Sequence, residues 1–360
     1  MNLSTNMKNG RRAALAAAAV LAFADTTRAA ELSEKEQAFL KEIQCDDAAV
    51  QFKAWSRSGE MSAGVIAPLA ELMNSDKPSV AKTAFESLDQ IVHSVGKKPT
   101  GERREAVVNA LLQLAADGKP TEERIAAYRW LSLVGSESNV EEIAKAIHDP
   151  ALMEEVVFCL ERIPSKKPIA ALIEALKKET KKEHKMRIMA ALGRRKAEDA
   201  IDLCAEHIGS PDNDLAIAAM KATARIGKRP TIDIRLPDYD SLSPVQQTDF
   251  VDSYLRYADA RAKDGALGDA LEVFGFILNN SMKEHHVCAA IVGVAKIGRP
   301  DTVPAIVAKM SDKENNVRIL AKKALIAMKG AEIEAKLKEA AQHAEGKLKE
   351  ALDEVLKARS

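Results

Sequence analysis

The chain has 360 residues with 53 basic and 53 acidic side chains, so it carries no net charge when histidine is neutral. This balance argues against bulk electrostatic binding of nucleic acid, which usually requires a basic excess. Hydrophobic residues make up 46 % of the chain but aromatic residues only 4 %. A composition dominated by aliphatic side chains favours closely packed helices over a large β-sheet core.

Residues 1–30 have the pattern of an export signal. Lys8, Arg11 and Arg12 give a positive start, an apolar run over 13–23 follows, and small residues near position 30 offer a cleavage point. The pattern predicts a periplasmic or secreted protein, with an uncleaved anchor or a plain N-terminal helix as alternatives. No later segment is long and apolar enough to cross a bilayer, so we expect no membrane span after cleavage.

Residues 31–60 are predicted to form a helical N-terminal cap. Ser33 and Glu36 have the spacing of a capping box at a helix start. Bulky apolar side chains follow at Phe39, Leu40, Ile43, Val50, Phe52 and Trp55. Because a stack of repeats must cover its first apolar face, we expect this segment to close the array.

Residues 61–330 contain recurring pairs of short amphipathic helices. The ends of the pairs are marked by Gly96, Gly135, Pro164, Gly193, Gly227, Gly298 and Gly330. A period of roughly 30–40 residues with two helices each is typical of α-solenoids, and one interval of double length hides a degenerate repeat. The sequence therefore predicts an all-α fold, a right-handed α-solenoid of stacked helix pairs that is capped at both ends.

The unit over 299–330 carries a recognisable spacing. Pro304 precedes Asp312 by eight residues, and Val317 and Arg318 follow in the second helix. This pattern resembles the HEAT repeat, in the form found in exported bacterial proteins with repeats like those of the bilin lyases of phycobilisomes. The resemblance implies a stack of helix pairs that serves as a binding scaffold, and it implies no particular activity.

Two segments depart from the repeat pattern. Residues 229–244 contain three prolines, no helical period and a β-like run over 232–236, which predicts an irregular excursion. Loops held on a rigid scaffold often carry function, although a passive insertion explains the pattern equally well. Residues 331–360 have apolar side chains at intervals of three and four, which predicts one amphipathic helix that caps the last repeat or pairs in a homodimer.

Basic residues recur at equivalent positions of the repeats. Those expected on the concave face, which the second helices would line, are Arg187, Lys221, Arg318 and Lys322. Those that follow a second helix are Lys97, Lys98, Lys166, Lys167, Arg194, Arg195, Lys228, Arg229 and Arg299. Equivalent positions stack in a solenoid, so the second group predicts a basic edge that could dock an acidic protein segment. The alternative is that these cations only stabilise helix C-termini.

The sequence predicts no catalytic residue, no cofactor and no metal site. Its four cysteines are dispersed and expected to be small buried apolar groups. A HEAT-like enzyme, deoxyhypusine hydroxylase, holds two irons with His-Glu dipeptides, but here the order is reversed, as in Glu183-His184 and Glu206-His207. We therefore predict a non-enzymatic scaffold that binds another protein. A metal-dependent oxidoreductase and a purely structural envelope component are the alternatives.

Overall fold

A computed structural model describes residues 32–280 and 282–359, and all regular secondary structure in these ranges is helical. The all-α class is therefore confirmed, whereas the export signal lies outside the described residues. The chain divides into two compact units, one ending at Ile163 and the other beginning at Pro164.

Unit 1 stacks three helix pairs next to a pair of N-terminal helices. Its helices are α1 (Glu34–Ile43), α2 (Ala48–Ser56), α3 (Ile66–Leu72), α4 (Pro78–Gly96), α5 (Glu102–Ala115), α6 (Thr121–Val134), α7 (Val140–Ala144) and α8 (Met153–Arg162). Helix α3 packs against α4, α5 against α6 and α7 against α8, while the second helices α4, α6 and α8 pack side by side. Stacked helix pairs are thus the architecture that the repeat pattern predicts.

The N-terminal pair contacts the first repeat through α2 and α4. Ser33 forms the predicted capping box with Glu36, and Asp47 caps α2 by accepting hydrogen bonds from two backbone amides. Phe39 is fully buried, but Phe52 is 65 % exposed. Phe52 lies outside the core because α2 turns the side that carries Gln51 and Ala54 inward.

Unit 2 continues the same arrangement. Its helices are α9 (Lys167–Lys178), α10 (Lys182–Arg194), α11 (Ile201–Ala205), α12 (Asn213–Ile226), α13 (Pro244–Lys263), α14 (Leu267–Asn279), α15 (Glu284–Ile297), α16 (Val303–Lys309), α17 (Asn315–Ala327), α18 (Ala331–His343) and α19 (Gly346–Arg359). A second-helix layer runs through α10, α12, α13, α15, α17 and α19, each packed on the next. The first-helix layer contains α9, α11, α14, α16 and α18.

Helix α13 has no first helix of its own. Residues 227–243, which precede it, form only a short 3₁₀ turn at Tyr239–Ser241. The double-length interval therefore holds two repeats, of which the first has lost one helix. The β-like run over 232–236 is not a strand.

The prediction of one continuous helix over 331–360 is wrong. The chain turns between His343 and Gly346, whose φ of +54° lies in the left-handed region that favours glycine. The two helices form a further pair, in which α18 packs on α16 and α19 on α17. Arg359 donates to backbone oxygens at the end of α17, including that of Met328, and thereby satisfies carbonyls that the helix leaves unpaired. The apolar stripe, with Leu337 and Leu352, is buried within the unit.

Gly293 on α15 lies directly against the ring of Phe274 on α14. A Cβ atom at this position would lie less than 3.0 Å from three atoms of the Phe274 ring, and Phe274 is itself buried. By contrast, a Cβ atom at Gly275 on α14 would meet no atom within 4 Å. The two glycines therefore have opposite structural roles, although both lie inside a helix.

Replacing Gly293 with alanine should lower the free energy of unfolding by about 1–3 kcal/mol, because the Phe274 ring must leave its packed position. Gly275→Ala is the matched control, and it should raise that free energy by about 0.5–1 kcal/mol, since alanine favours the helix. Urea denaturation monitored by circular dichroism measures both. Equal effects of the two substitutions would contradict the packing described here.

Candidate functional site

Unit 1 carries an exposed aromatic surface, formed by Phe52 and Trp55 of α2 and Phe85 of α4, above the buried Trp130 of α6. The rings of Phe52 and Trp55 are 5.5 Å apart, and those of Phe85 and Trp130 are 5.4 Å apart. Phe85 is 46 % exposed, whereas Trp130 is buried beneath it. The whole sequence has only 14 aromatic side chains, and four of them lie together here.

Two clefts flank the aromatic surface. The larger, of about 710 Å³, extends from Trp55 and Phe85 to Lys97, and the smaller, of about 450 Å³, lies between Phe52 and Lys82. Both are within the range of volumes that protein ligand sites occupy. Each cleft is open to solvent, so a protruding segment of another protein can enter from the side.

The polar groups around the aromatic surface are mixed in sign. The indole N–H of Trp130 donates to Asp89 at 3.4 Å, and the His93 ring lies 3.2 Å from the same carboxylate. Glu86 lines both clefts, and Lys82 and Lys97 line one each. An apolar centre with a mixed polar rim is the usual anatomy of a protein–protein interface.

The four basic residues predicted on the second helices do lie on α10, α12 and α17, but all four have structural partners. Lys221 forms an ion pair with Asp249 at 2.7 Å, and Lys322 forms one with Glu354 at 2.7 Å. Each of these pairs links one helix of the second layer to the next. Arg187 is half-buried on α10 and also has an interaction partner.

Arg318 is anchored most firmly. Its guanidinium donates to the backbone oxygens of Asp312 and Lys313 at 2.7 and 2.8 Å, and to the side-chain oxygen of Asn315 at 3.0 Å. These bonds tie the first turn of α17 to the loop after α16. Arg318, one of the residues on which the resemblance to the HEAT repeat rests, therefore holds the turn between α16 and α17.

The predicted basic edge is largely paired with acids in unit 2. Lys228 lies 2.9 Å from Asp264, Arg229 lies 2.8 Å from Asp269, and Arg299 pairs with its neighbour Asp301. Hydrogen bonding to Asp264 raises the pKa of Lys228. The charge of each of these three cations is therefore balanced by a neighbouring carboxylate.

The remaining edge residues differ in their surroundings. Arg195 donates to the backbone oxygen of Ser165, and Lys167 and Arg194 also have interaction partners. Lys97 and Lys98 are exposed after α4, and Lys166 is exposed before α9, with no ion pair to any residue in 32–280 or 282–359. Lys97 borders the larger cleft of unit 1, which makes it the edge residue best placed to contact a partner there.

The groups considered for metal chemistry are separated in the structure. His184 lies 3.2 Å from Glu179, a buried carboxylate that also accepts two backbone hydrogen bonds. Cys204 is buried, and burial raises the pKa of its thiol to about 12. Burial lowers the pKa of His207. Over the described ranges no three His, Cys, Asp or Glu side chains converge in a way that could hold a metal ion.

The four cysteines are free thiols, two of them buried and two half-buried. Across the part of the chain that the structure describes, no helix combines the length and the apolar character that a membrane span requires.

Comparison with known proteins yields structural likenesses only. No protein-family model matches the chain, and no curated protein matches it. Among solved structures, yeast importin-β (Kap95p) is 13 % identical with a TM-score of 0.48, covering 91 % of this chain and 52 % of that one. Human deoxyhypusine hydroxylase in complex with glycerol is 17 % identical with a TM-score of 0.33, covering 71 % and 96 %.

The complex of CpcE and CpcF of phycocyanin lyase from Nostoc sp. PCC7120 is 16 % identical with a TM-score of 0.33, covering 82 % of this chain and 94 % of that one. Likenesses at these identities and TM-scores say nothing about activity or partners. The fold assignment rests on the helix pairs of units 1 and 2 themselves.

Arg318→Ala should lower the free energy of unfolding by about 1–2 kcal/mol, because two backbone carbonyls lose a charged donor. Lys322→Ala on the same helix is the control, and removing its partly exposed ion pair should cost less than about 1 kcal/mol. Urea denaturation of the two variants gives the comparison. Equal stability of both would mean that Arg318 does not hold the turn.

Proposed function

We propose that the protein is an exported, non-enzymatic scaffold that binds another protein through the aromatic surface of unit 1. The exposure of Phe52 and Phe85 is the observation that carries this proposal. Burying one such ring would stabilise the fold by about 1.5–3 kcal/mol, yet unit 1 leaves both in contact with water. Clustered exposed aromatic side chains mark interaction sites, since they supply large apolar contact area once a partner covers them.

The partner expected here is a folded protein or segment with a protruding apolar side chain that enters the larger cleft. Lys97 and Lys98, at the end of α4, would add electrostatic attraction for an acidic rim on that partner. The other basic residues named from the sequence would contribute less, because their charge is compensated by neighbouring acids. A partner covering these aromatic rings would leave the helix stack of unit 1 unchanged.

The Phe52→Ser, Phe85→Ser double variant should lose the partner while remaining folded, at a cost of about 1–2 kcal/mol, since Phe52 is mostly exposed and Phe85 is about half covered against Trp130. Val245→Ser is the control, because Val245 is 72 % exposed on α13 of unit 2. Photo-crosslinking in cells from position 52 should give a defined adduct that crosslinking from position 245 does not. Identical adducts from both positions would contradict the proposal.

Salt concentration separates the two kinds of contact. A complex held by the aromatic surface should survive a wash at about 0.5 M salt, where exposed charges are largely screened. Loss of the complex in that wash, together with its loss in a Lys97→Ala, Lys98→Ala variant, would move the site to the basic edge.

Export is tested by the mature N-terminus. If residues 1–30 are a cleaved signal, mass spectrometry of the purified protein should find a chain that begins near Glu31. Replacing Arg11 and Arg12 with glutamate should keep the precursor in the cytoplasm, whereas the same change at Lys35 and Lys41 should not. Recovery of an intact N-terminus from the cytoplasm would contradict export.

A further inference from the structure

The missing first helix of the α13 repeat leaves a groove in unit 2. Helices α12 and α13 form its floor, α14 forms one wall and the irregular residues 229–236 form the rim. Helix α14 packs on both α13 and α15, so in this part of the unit one first helix serves two second helices. The groove has a volume of about 490 Å³ and is open to solvent, so a segment of chain could enter it without threading.

The rim is held in place from both sides. The backbone amide and hydroxyl of Thr231 donate to Asp202 on α11 at 2.7 and 2.5 Å. Arg229 reaches across to Asp269 on α14 at 2.8 Å, and Asp269 also accepts from Arg261 at 2.9 Å. The groove is therefore a built feature of the unit.

The groove leaves several groups without partners. Thr223 on its floor is only 6 % exposed, and its hydroxyl has no hydrogen-bond partner. The hydroxyls of Tyr254 and Tyr257 form no hydrogen bond with any residue in the described ranges. Phe276, whose ring lies 5.8 Å from that of Tyr254, is 40 % exposed. An exposed aromatic wall beside tyrosine hydroxyls that have no partner among the described residues is a combination that a bound ligand would satisfy.

The charge of the groove is negative. Asp233, Asp269 and Glu272 line it, against a single cation, Arg229. Burial acts to raise the pKa of Asp269, but hydrogen bonds from Arg261 and Arg229 lower it overall. The Asp269 carboxylate therefore stays ionised, and these two arginines balance its charge. Asp233 and Glu272 have no ion pair with any residue that the structure describes. Burial and then the charge of Glu272 raise the pKa of Tyr254 to about 12, so its ring stays neutral beside that carboxylate.

Aromatic faces next to an unpaired carboxylate form a favourable site for a cation. A Lys or Arg side chain can lie against Tyr254, Tyr257 or Phe276 while its charged end pairs with Glu272. An acidic ligand would be repelled by the same two carboxylates. Phe276 and Leu236 also line the groove and are 40 % and 42 % exposed, so they would be covered by apolar side chains on the same ligand.

We propose that this groove binds a peptide segment of another protein that presents apolar side chains together with a lysine or arginine. The apolar side chains would take the place that a first helix occupies in the neighbouring repeats. The groove lies entirely in unit 2 and does not depend on the aromatic surface of unit 1, so each site can fail without the other.

A random dodecapeptide library displayed on phage, selected on the purified protein, provides the probe. Enriched peptides should contain Lys or Arg close to Leu, Ile or Phe. Their binding, measured by fluorescence anisotropy with the synthetic peptides, should weaken about fivefold in Glu272→Gln and about tenfold in Phe276→Ala. Raising the salt to about 0.5 M should weaken binding to the parent but have little effect on the Glu272→Gln variant.

Two controls address stability and location. Glu332→Gln removes an exposed carboxylate at the start of α18 and should leave affinity unchanged. The Phe52→Ser, Phe85→Ser variant should also bind the peptides normally, since its changes lie in unit 1. In methyl NMR spectra the peptide should shift the signal of Met220 and not that of Met310.

The proposal is overturned if the selection enriches no peptide over the background. It is also overturned if the enriched peptides lack basic residues, or if they bind the Glu272→Gln and Phe276→Ala variants as tightly as the parent. A peptide that leaves the Met220 methyl signal unmoved binds elsewhere, and this result would also overturn the proposal.

Discussion

Each helix pair of this protein can bury its apolar stripe only against the next pair. Val317, Ala321 and Leu325 on α17 illustrate the constraint, because they are buried only where the helices on either side cover them. Stability in such stacks is a sum over neighbouring junctions, so every pair needs a neighbour and the last pair needs a covering element. The hairpin of α18 and α19 supplies that cover in unit 2, and Arg359 fastens it to the end of α17.

The same constraint explains why the irregular segment before α13 leaves part of the second-helix layer uncovered. Residues 227–243 keep the second layer continuous, since α12 still packs on α13, but they replace a helix with a thinner rim. A stack that loses one first helix leaves the outer sides of two second helices partly uncovered. Tyr254 and Tyr257 line this uncovered surface, which combines aromatic, hydroxyl and carboxylate groups.

The charges of the molecule serve mostly to link neighbouring helices. Lys221, Lys228 and Lys322 each reach an acid on the next helix of the second layer or at its end. Each of these exposed ion pairs contributes little to the free energy of unfolding. Each pair nevertheless holds its lysine against a carboxylate of this chain. Because most of the basic candidates in unit 2 are paired with acids, the groups left available for a partner in each unit are mainly apolar and aromatic side chains.

The sequence by itself determined the all-α class, the paired helices, the double-length interval and the position of the irregular segment. These follow from local periodicity and from Gly and Pro positions such as Gly227 and Gly298, both left-handed C-caps.

Tertiary structure decided the rest. Periodicity does not specify which side of α2 faces inward and so leaves the exposure of Phe52 open, and it does not reveal that Gly346 turns the C-terminal segment back on itself. Sequence also shows basic residues without their acids, because Lys221 and Asp249, 28 positions apart, meet only when two helices pack. The aromatic surface and the groove likewise exist only after helices distant in sequence become neighbours.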